Sequence, residues 1–256
     1  MKRFSQIFYS ELLKVRNTFA PWLILFAAFV VPFLLFIEYM EHQQQTNYIP
    51  GINPWDIGWS KSLKGSSIFI FPCVIVMQTA LLMNIEHKFN TWKYLLTLPV
   101  RNGIIYLSKL LVNIIFLISF YILLIVFFLL FGWFFGLLVA KSGLLITIPD
   151  LKSMFQTSLK SFIAFLGVLS IHFWISIRVK NMFINMGIGL VFIFMSLMTI
   201  KKPHLGNYFP YSFGLLTAFN EHPDKSFLAP NEIYGILFFL CISTLSYFDF
   251  VKRFKG

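Results

Sequence analysis

Apolar positions in this chain gather into long runs and do not alternate, which points to helices and not to half-buried strands. Six runs approach the ~20 residues needed to cross a bilayer core: 22–37, 67–85, 110–139, 155–177, 182–200 and 233–248. The third is 30 residues long, or about 45 Å as a helix against ~30 Å of hydrocarbon, so it is expected to tilt or protrude. The first is short enough to pass for a signal peptide, but no small-residue cleavage site follows and five more runs do, so it reads as a retained anchor. No repeat is visible. The pattern predicts an all-α integral membrane protein with six transmembrane helices, in a single domain over 1–256. Its two longest polar loops, 39–65 and 201–231, lie between spans one and two and between spans five and six.

Composition sharpens this picture. Residues are 58% hydrophobic and 19% aromatic, and 12% are charged, about half the usual charge density of a soluble domain. The 33 Phe residues are more easily accommodated by lipid than by a core of this size. A net charge of +11 would fit nucleic acid, but Lys and Arg sit at the edges of the apolar runs, as in membrane proteins. The expected surroundings are therefore membrane lipid, and no nucleic-acid partner is expected.

Charge also orients the chain. With both termini in the cytoplasm, 13 basic residues face inward and eight outward, in line with the positive-inside rule. Three acids, Glu11, Glu86 and Asp249, fall inside, and the other seven outside. In this topology 39–65 and 201–231 are outer loops. Their Trp55, Trp59, Tyr208 and Tyr211 are expected at headgroup level as an aromatic belt, or less readily as a vestibule for an amphipathic peptide or lipid.

The segment "NIEHKFNTWKYLLTLPVRNGIIYLSKLL", 84–111, joins spans two and three on the inner side. As a helix it would turn Phe89, Trp92, Leu95, Leu96 and Leu98 to the membrane or bundle and leave His87, Lys88, Asn90 and Lys93 to the cytosol. Pro99 would end it. On physical grounds alone this is an interfacial basic helix.

The order of residues here, Glu86, Asn90-Thr91, Leu95-Leu96, Leu98-Pro99-Val100-Arg101 and Lys109, resembles the pattern after the second helix in ABC-2 type permeases, the membrane subunits of ATP-binding-cassette exporters. It departs from that pattern in having Asn90 where Gly is usual and an Arg one place early. Residues 3–18, "RFSQIFYSELLKVRNT", resemble the family's N-terminal amphipathic helix, with Phe4, Ile7, Phe8, Leu12 and Val15 on one side. The stretch "NYFPYSFGLLTAF", 207–219, resembles the outer segment of peptide- and lantibiotic-type members.

The resemblance implies that 86–101 is a cytoplasmic coupling helix, with Glu86, His87, Phe89, Asn90, Thr91 and Trp92 contacting a separate ABC ATPase subunit. It further implies a second permease copy or a sister permease, and a place in the bacterial cytoplasmic membrane. ATP and Mg would be held by the partner ATPase, and no cofactor by this chain, which has no G-x-x-x-x-G-K-[ST] phosphate loop. The implied function is export of an amphipathic substrate, such as an antimicrobial peptide. A lipid cargo on the same fold, or a scaffold that transports nothing, are the alternatives.

A membrane enzyme is a weaker reading. The polar residues within spans are Gln78, Asn113, His172 and Asn185, and intramembrane polar groups are functional candidates by default. There is no G-x-S-x-G, no H-E-x-x-H and no His/Cys pair at metal spacing, so no metal site is expected. These four fit interhelical hydrogen bonds better, or the lining of a pathway or interface. Cys73 and Cys241 read as small hydrophobes, and Gly187 and Gly189 as points of close helix approach.

Overall fold

A computed structural model describes residues 2–42, 50–89, 91–92, 99–199, 206–219 and 228–253. Among these the regular elements are all helical: α1 Lys2–Arg16, α2 Ala20–Glu41, α3 Pro54–Ile68, α4 Ile70–Lys88, α5 Asn102–Leu138, α6 Leu151–Arg178, α7 Met182–Met198, α8 Pro210–Phe219 and α9 Pro230–Arg253. Five of them, α2, α4, α5, α6 and α9, are long and apolar enough to cross a membrane; α7 is apolar but has 17 residues.

Capping residues set several helix starts. Asn53 accepts from the Trp55 amide at 3.1 Å with Pro54 following, Asp150 accepts from the Lys152 and Ser153 amides at 3.1 Å each, and Asn181 accepts from the Phe183 amide at 2.9 Å. Each satisfies amide donors that a helix start otherwise leaves without partners.

Many of the phenylalanines pack against one another. Along the α2–α5 contact, Phe29, Phe33 and Phe36 interleave with Phe127, Phe131 and Phe134, with ring centroids 5.3–5.7 Å apart. Such pairs add to plain area burial through edge-to-face and offset geometry. The buried core falls into two clusters. One surrounds Phe71, Phe120, Leu124 and Phe165, and the other surrounds Ala20, Met83, Tyr106 and Phe173.

The region expected as an outer loop, 39–65, holds most of helix α3, which runs on to Ile68, and 201–231 contains α8. The aromatic belt is corrected for three of its four residues. Trp55 and Trp59 are 3% exposed and Tyr211 is 2% exposed, whereas Tyr208 is 80% exposed. Each buried ring has a polar partner inside. Trp55 Nε1 donates to the Leu144 and Thr147 carbonyls, Trp59 Nε1 to Thr157 Oγ1, and the Tyr211 hydroxyl meets His172 Nε2.

Candidate functional site

Four charges meet where α1, α4 and α5 converge. On α1, the residues at 4, 7, 8, 12 and 15 are half-buried or buried, and Glu11 lies on that same stripe, 5% exposed. Lys109 on α5 is 3% exposed and Glu86 on α4 is 1% exposed. Lys109 Nζ donates to Glu11 Oε2 and to Glu86 Oε1, at 2.6 Å in both cases. Lys14 Nζ donates to Glu11 Oε1 at 2.8 Å and to Glu86 Oε1 at 3.0 Å. Two ammonium groups and two carboxylates thus alternate, and their formal charges cancel. Buried ions need this arrangement, because attraction and hydrogen bonds must offset lost hydration. Burial by itself would lower the Lys14 pKa, but the attraction of Glu11 and Glu86 and the hydrogen bonds to them outweigh it. Lys14 is held above its ordinary value and remains an ammonium at neutral pH.

The loop after α4 is tied to this cluster from above. Thr91 Oγ1 donates to Glu86 Oε2, and the Thr91 amide donates to the Glu86 carbonyl at 3.1 Å. The Trp92 ring sits 5.5 Å from Lys109 Nζ, in cation–π range, and 5.8 Å from the Phe250 ring. Trp92 Nε1 donates to His87 Nδ1 at 3.2 Å, and His87 Nε2 lies 2.9 Å from the Ser176 carbonyl. Both contacts are satisfied by the neutral ring with its proton on Nε2.

Of the residues expected to meet an ATPase, then, Glu86 is turned inward, and His87, Thr91 and Trp92 are half-buried and tied to the bundle. Phe89 is 64% exposed and Lys88 beside it is exposed, its Nζ 5.7 Å from the Phe89 ring. Asn90 lies outside the described residues, as do 93–98 of the expected coupling helix. Glu86–Lys88 belong to the C-terminal turn of α4 itself.

The four intramembrane polar residues fall into two groups. Gln78 Nε2 donates to the Asn113 carbonyl at 3.2 Å, joining α4 to α5, and Asn113 Nδ2 donates to the Lys109 carbonyl at 2.9 Å. Asn185 Nδ2 donates to Ser176 Oγ, and Asn185 Oδ1 lies 3.3 Å from His172 Nδ1. With Tyr211 on His172, these contacts form a polar chain from α8 through α6 and α7 to Ser176, whose carbonyl holds His87. At the same end of the bundle Arg178 makes a two-pronged pair with Asp249, which also accepts from Trp174 Nε1 at 2.9 Å, fastening α6 to α9.

Sequence reasoning missed Glu11 and Lys14 as members of the site, and Ser176 and Tyr211 as links. A signal for Glu11 was present, since an acid on the apolar stripe of α1 needs a buried cation. Ser176 carried none, since a serine hydroxyl in a helix satisfies itself on the preceding turn as readily as on a neighbour, and Tyr211 read as a headgroup-level aromatic because its partner His172 lies 39 positions away.

The model of the ABC-2 family transporter proteins matches residues 7–196, well over half of the chain. No match was found among curated proteins, and none among solved structures. The matched stretch holds all four members of the charge cluster and every link of the polar chain except Tyr211. The chain belongs to the ABC-2 family of transporter proteins, and it is accordingly a multi-pass membrane permease subunit of an ABC transporter.

Proposed function

We propose that this permease exports an amphipathic substrate, driven by a separate ABC ATPase that docks at the end of α4. The observation that carries the reading is that an exposed Phe89 and Lys88 follow directly, within one turn, on the buried and clamped Glu86. A docking element that passes force must be rigid below and adhesive above. Glu86, locked to Lys109 and Lys14, supplies rigidity, and Phe89 and Lys88 supply the contact. His87, Thr91 and Trp92 brace the loop from within.

In this reading α7 is a sixth, short span, accommodated by local bilayer thinning. Both termini are cytoplasmic, in the bacterial cytoplasmic membrane. The partner ATPase holds ATP and Mg, and a second permease copy or a sister permease completes the pathway. The apolar outer side of α2, with Trp22 and Phe26 and the preceding Phe19 each more than 60% exposed, meets lipid or that second permease. The cargo is an amphiphile, for which an antimicrobial peptide is the leading class.

The test is co-purification of the ATPase from the native membrane with Phe89→Ala and Lys88→Glu variants. A few anchor residues carry most of an interface's energy, at about 2 kcal/mol or more each; with Phe89 as such an anchor, F89A is expected to lower ATPase recovery several-fold without changing the unfolding temperature of the permease. Full recovery and full transport in F89A/K88E would sink the docking assignment.

A further inference from the structure

At the opposite end of the bundle a pocket of about 260 Å³ opens between α3, α6 and α8. Asp56, Trp59, Ser60 and Leu63 line it from α3, Ser153, Thr157, Lys160 and Ser161 from α6, and Thr217 and Ala218 from α8. Its polar wall is fixed in place. Trp59 Nε1 donates to Thr157 Oγ1 at 2.8 Å, Thr157 Oγ1 is also 2.9 Å from the Ser153 carbonyl, and Ser161 Oγ lies 2.9 Å from the Tyr121 hydroxyl. None of these contacts belongs to the charge cluster or to the polar chain at the α4 end.

The pocket combines one acid, one base, several hydroxyls and an indole in a volume below the roughly 300 Å³ at which drug-sized ligand sites begin. That space is too small for a peptide and suits a single headgroup. The same elements present exposed apolar side chains nearby in sequence, Ile57 at 53%, Leu151 at 56% and Phe155 at 62%, so an acyl chain can lie outside while the polar end enters. We infer that the pocket binds the zwitterionic headgroup of an aminophospholipid, its ammonium on Asp56 and its phosphate on Lys160, with the hydroxyls and the Trp59 ring around it.

The acid side is prepared for a cation. Partial burial, and then the neighbouring Asp150 carboxylate, raise the Asp56 pKa above its ordinary value. Asp150 is committed to the α6 amides, so an arriving ammonium relieves that repulsion. A plain anionic lipid can also place its phosphate on Lys160, but it brings no cation to Asp56.

This inference goes beyond the export reading and is measured without the ATPase, so failure of either leaves the other standing. The purified full-length chain would be placed in nanodiscs of phosphatidylglycerol containing a minor fraction of phosphatidylethanolamine, and lipid retained after detergent extraction quantified by mass spectrometry. Phosphatidylethanolamine is expected to be enriched over its bulk fraction by about tenfold. Asp56→Asn and Lys160→Gln should each abolish the enrichment, and Glu38→Gln, at the exposed Glu38–Lys61 pair, should leave it intact. Soluble phosphoethanolamine should compete only weakly, since it lacks the acyl chains. No enrichment in the parent chain, equal retention of both lipids, or enrichment unchanged in D56N and K160Q would each overturn the assignment. Full competition by phosphoethanolamine would overturn the lipid as source.

Discussion

Lys109→Met is expected to destabilise the permease by about 3–5 kcal/mol, the cost of breaking a buried ion pair from one side. The substitution leaves Glu11 and Glu86, each no more than 5% exposed, sharing the single cation of Lys14. One uncompensated negative charge then stays buried where three helices meet. The check is thermal unfolding of the detergent-solubilised variant beside the parent. The double variant Lys109→Met/Glu86→Gln restores neutrality and keeps the Glu11–Lys14 pair, so it is expected to recover a substantial part of the loss. A loss below about 1 kcal/mol in K109M, the size of an exposed pair, would mean that the cluster is hydrated and carries no lock. Additive losses in the double variant would say the same.

Gly235→Leu is expected to have the next largest effect, through backbone and not charge. A Cβ at 235 would stand 2.7 Å from the Ile163 carbonyl oxygen and 3.0 Å from both the Ala164 Cα and its carbonyl oxygen. Those are main-chain atoms of α6, and they cannot rotate aside as a side chain can. The α6 and α9 backbones must part, at the cost of about 1–3 kcal/mol typical of overpacking, or more. The control lies across the same contact. A Cβ at Gly167 would meet Phe238 Cβ at 3.4 Å and the Gly235 carbonyl oxygen at 3.7 Å, ordinary distances, so Gly167→Ala should unfold close to the parent temperature. Because α9 lies beyond residue 196, a large effect at 235 would also show that the unmatched C-terminal helices are integral to the bundle.

The long helices were legible in the sequence because their hydropathy runs are long and flanked by charge. α2, α6 and α9 each contain an expected run and extend past it at both ends, whereas α4 starts three residues later than its run and ends three beyond it, and α5 starts eight residues before its run and stops one short of its end. Helix α3 was not legible, since Asp56, Lys61 and Lys64 break any apolar run. Its Asn53-Pro54 start is a helix-opening signal that the loop reading passed over. The burial of Trp55, Trp59 and Tyr211 was hidden for a different reason. An indole or phenol in a membrane protein belongs at the interface unless a partner for its polar atom waits inside. Those partners, Leu144, Thr147, Thr157 and His172, lie 39 to 98 positions away.

The site followed the same division. The segment after α4 stood out through its residue order, and Lys109 through its place at the head of a span. What no local pattern states is who pairs with whom. The three acids expected on the inner side, Glu11, Glu86 and Asp249, all turn out to be in ion pairs with bases from that side. Their shared fate is a consequence of position. An acid near the end of a span either reaches water or finds a cation, and the inner side is where cations are abundant.

The charge cluster also constrains how the protein can be made. Its members leave the ribosome in the order Glu11, Lys14, Glu86, Lys109, so the last to arrive is the buried cation that completes the set and makes the two shorter bonds to the acids. Until α5 emerges, Glu86 at the end of α4 has only Lys14 to answer it. The cluster therefore closes only once the third long helix is in place.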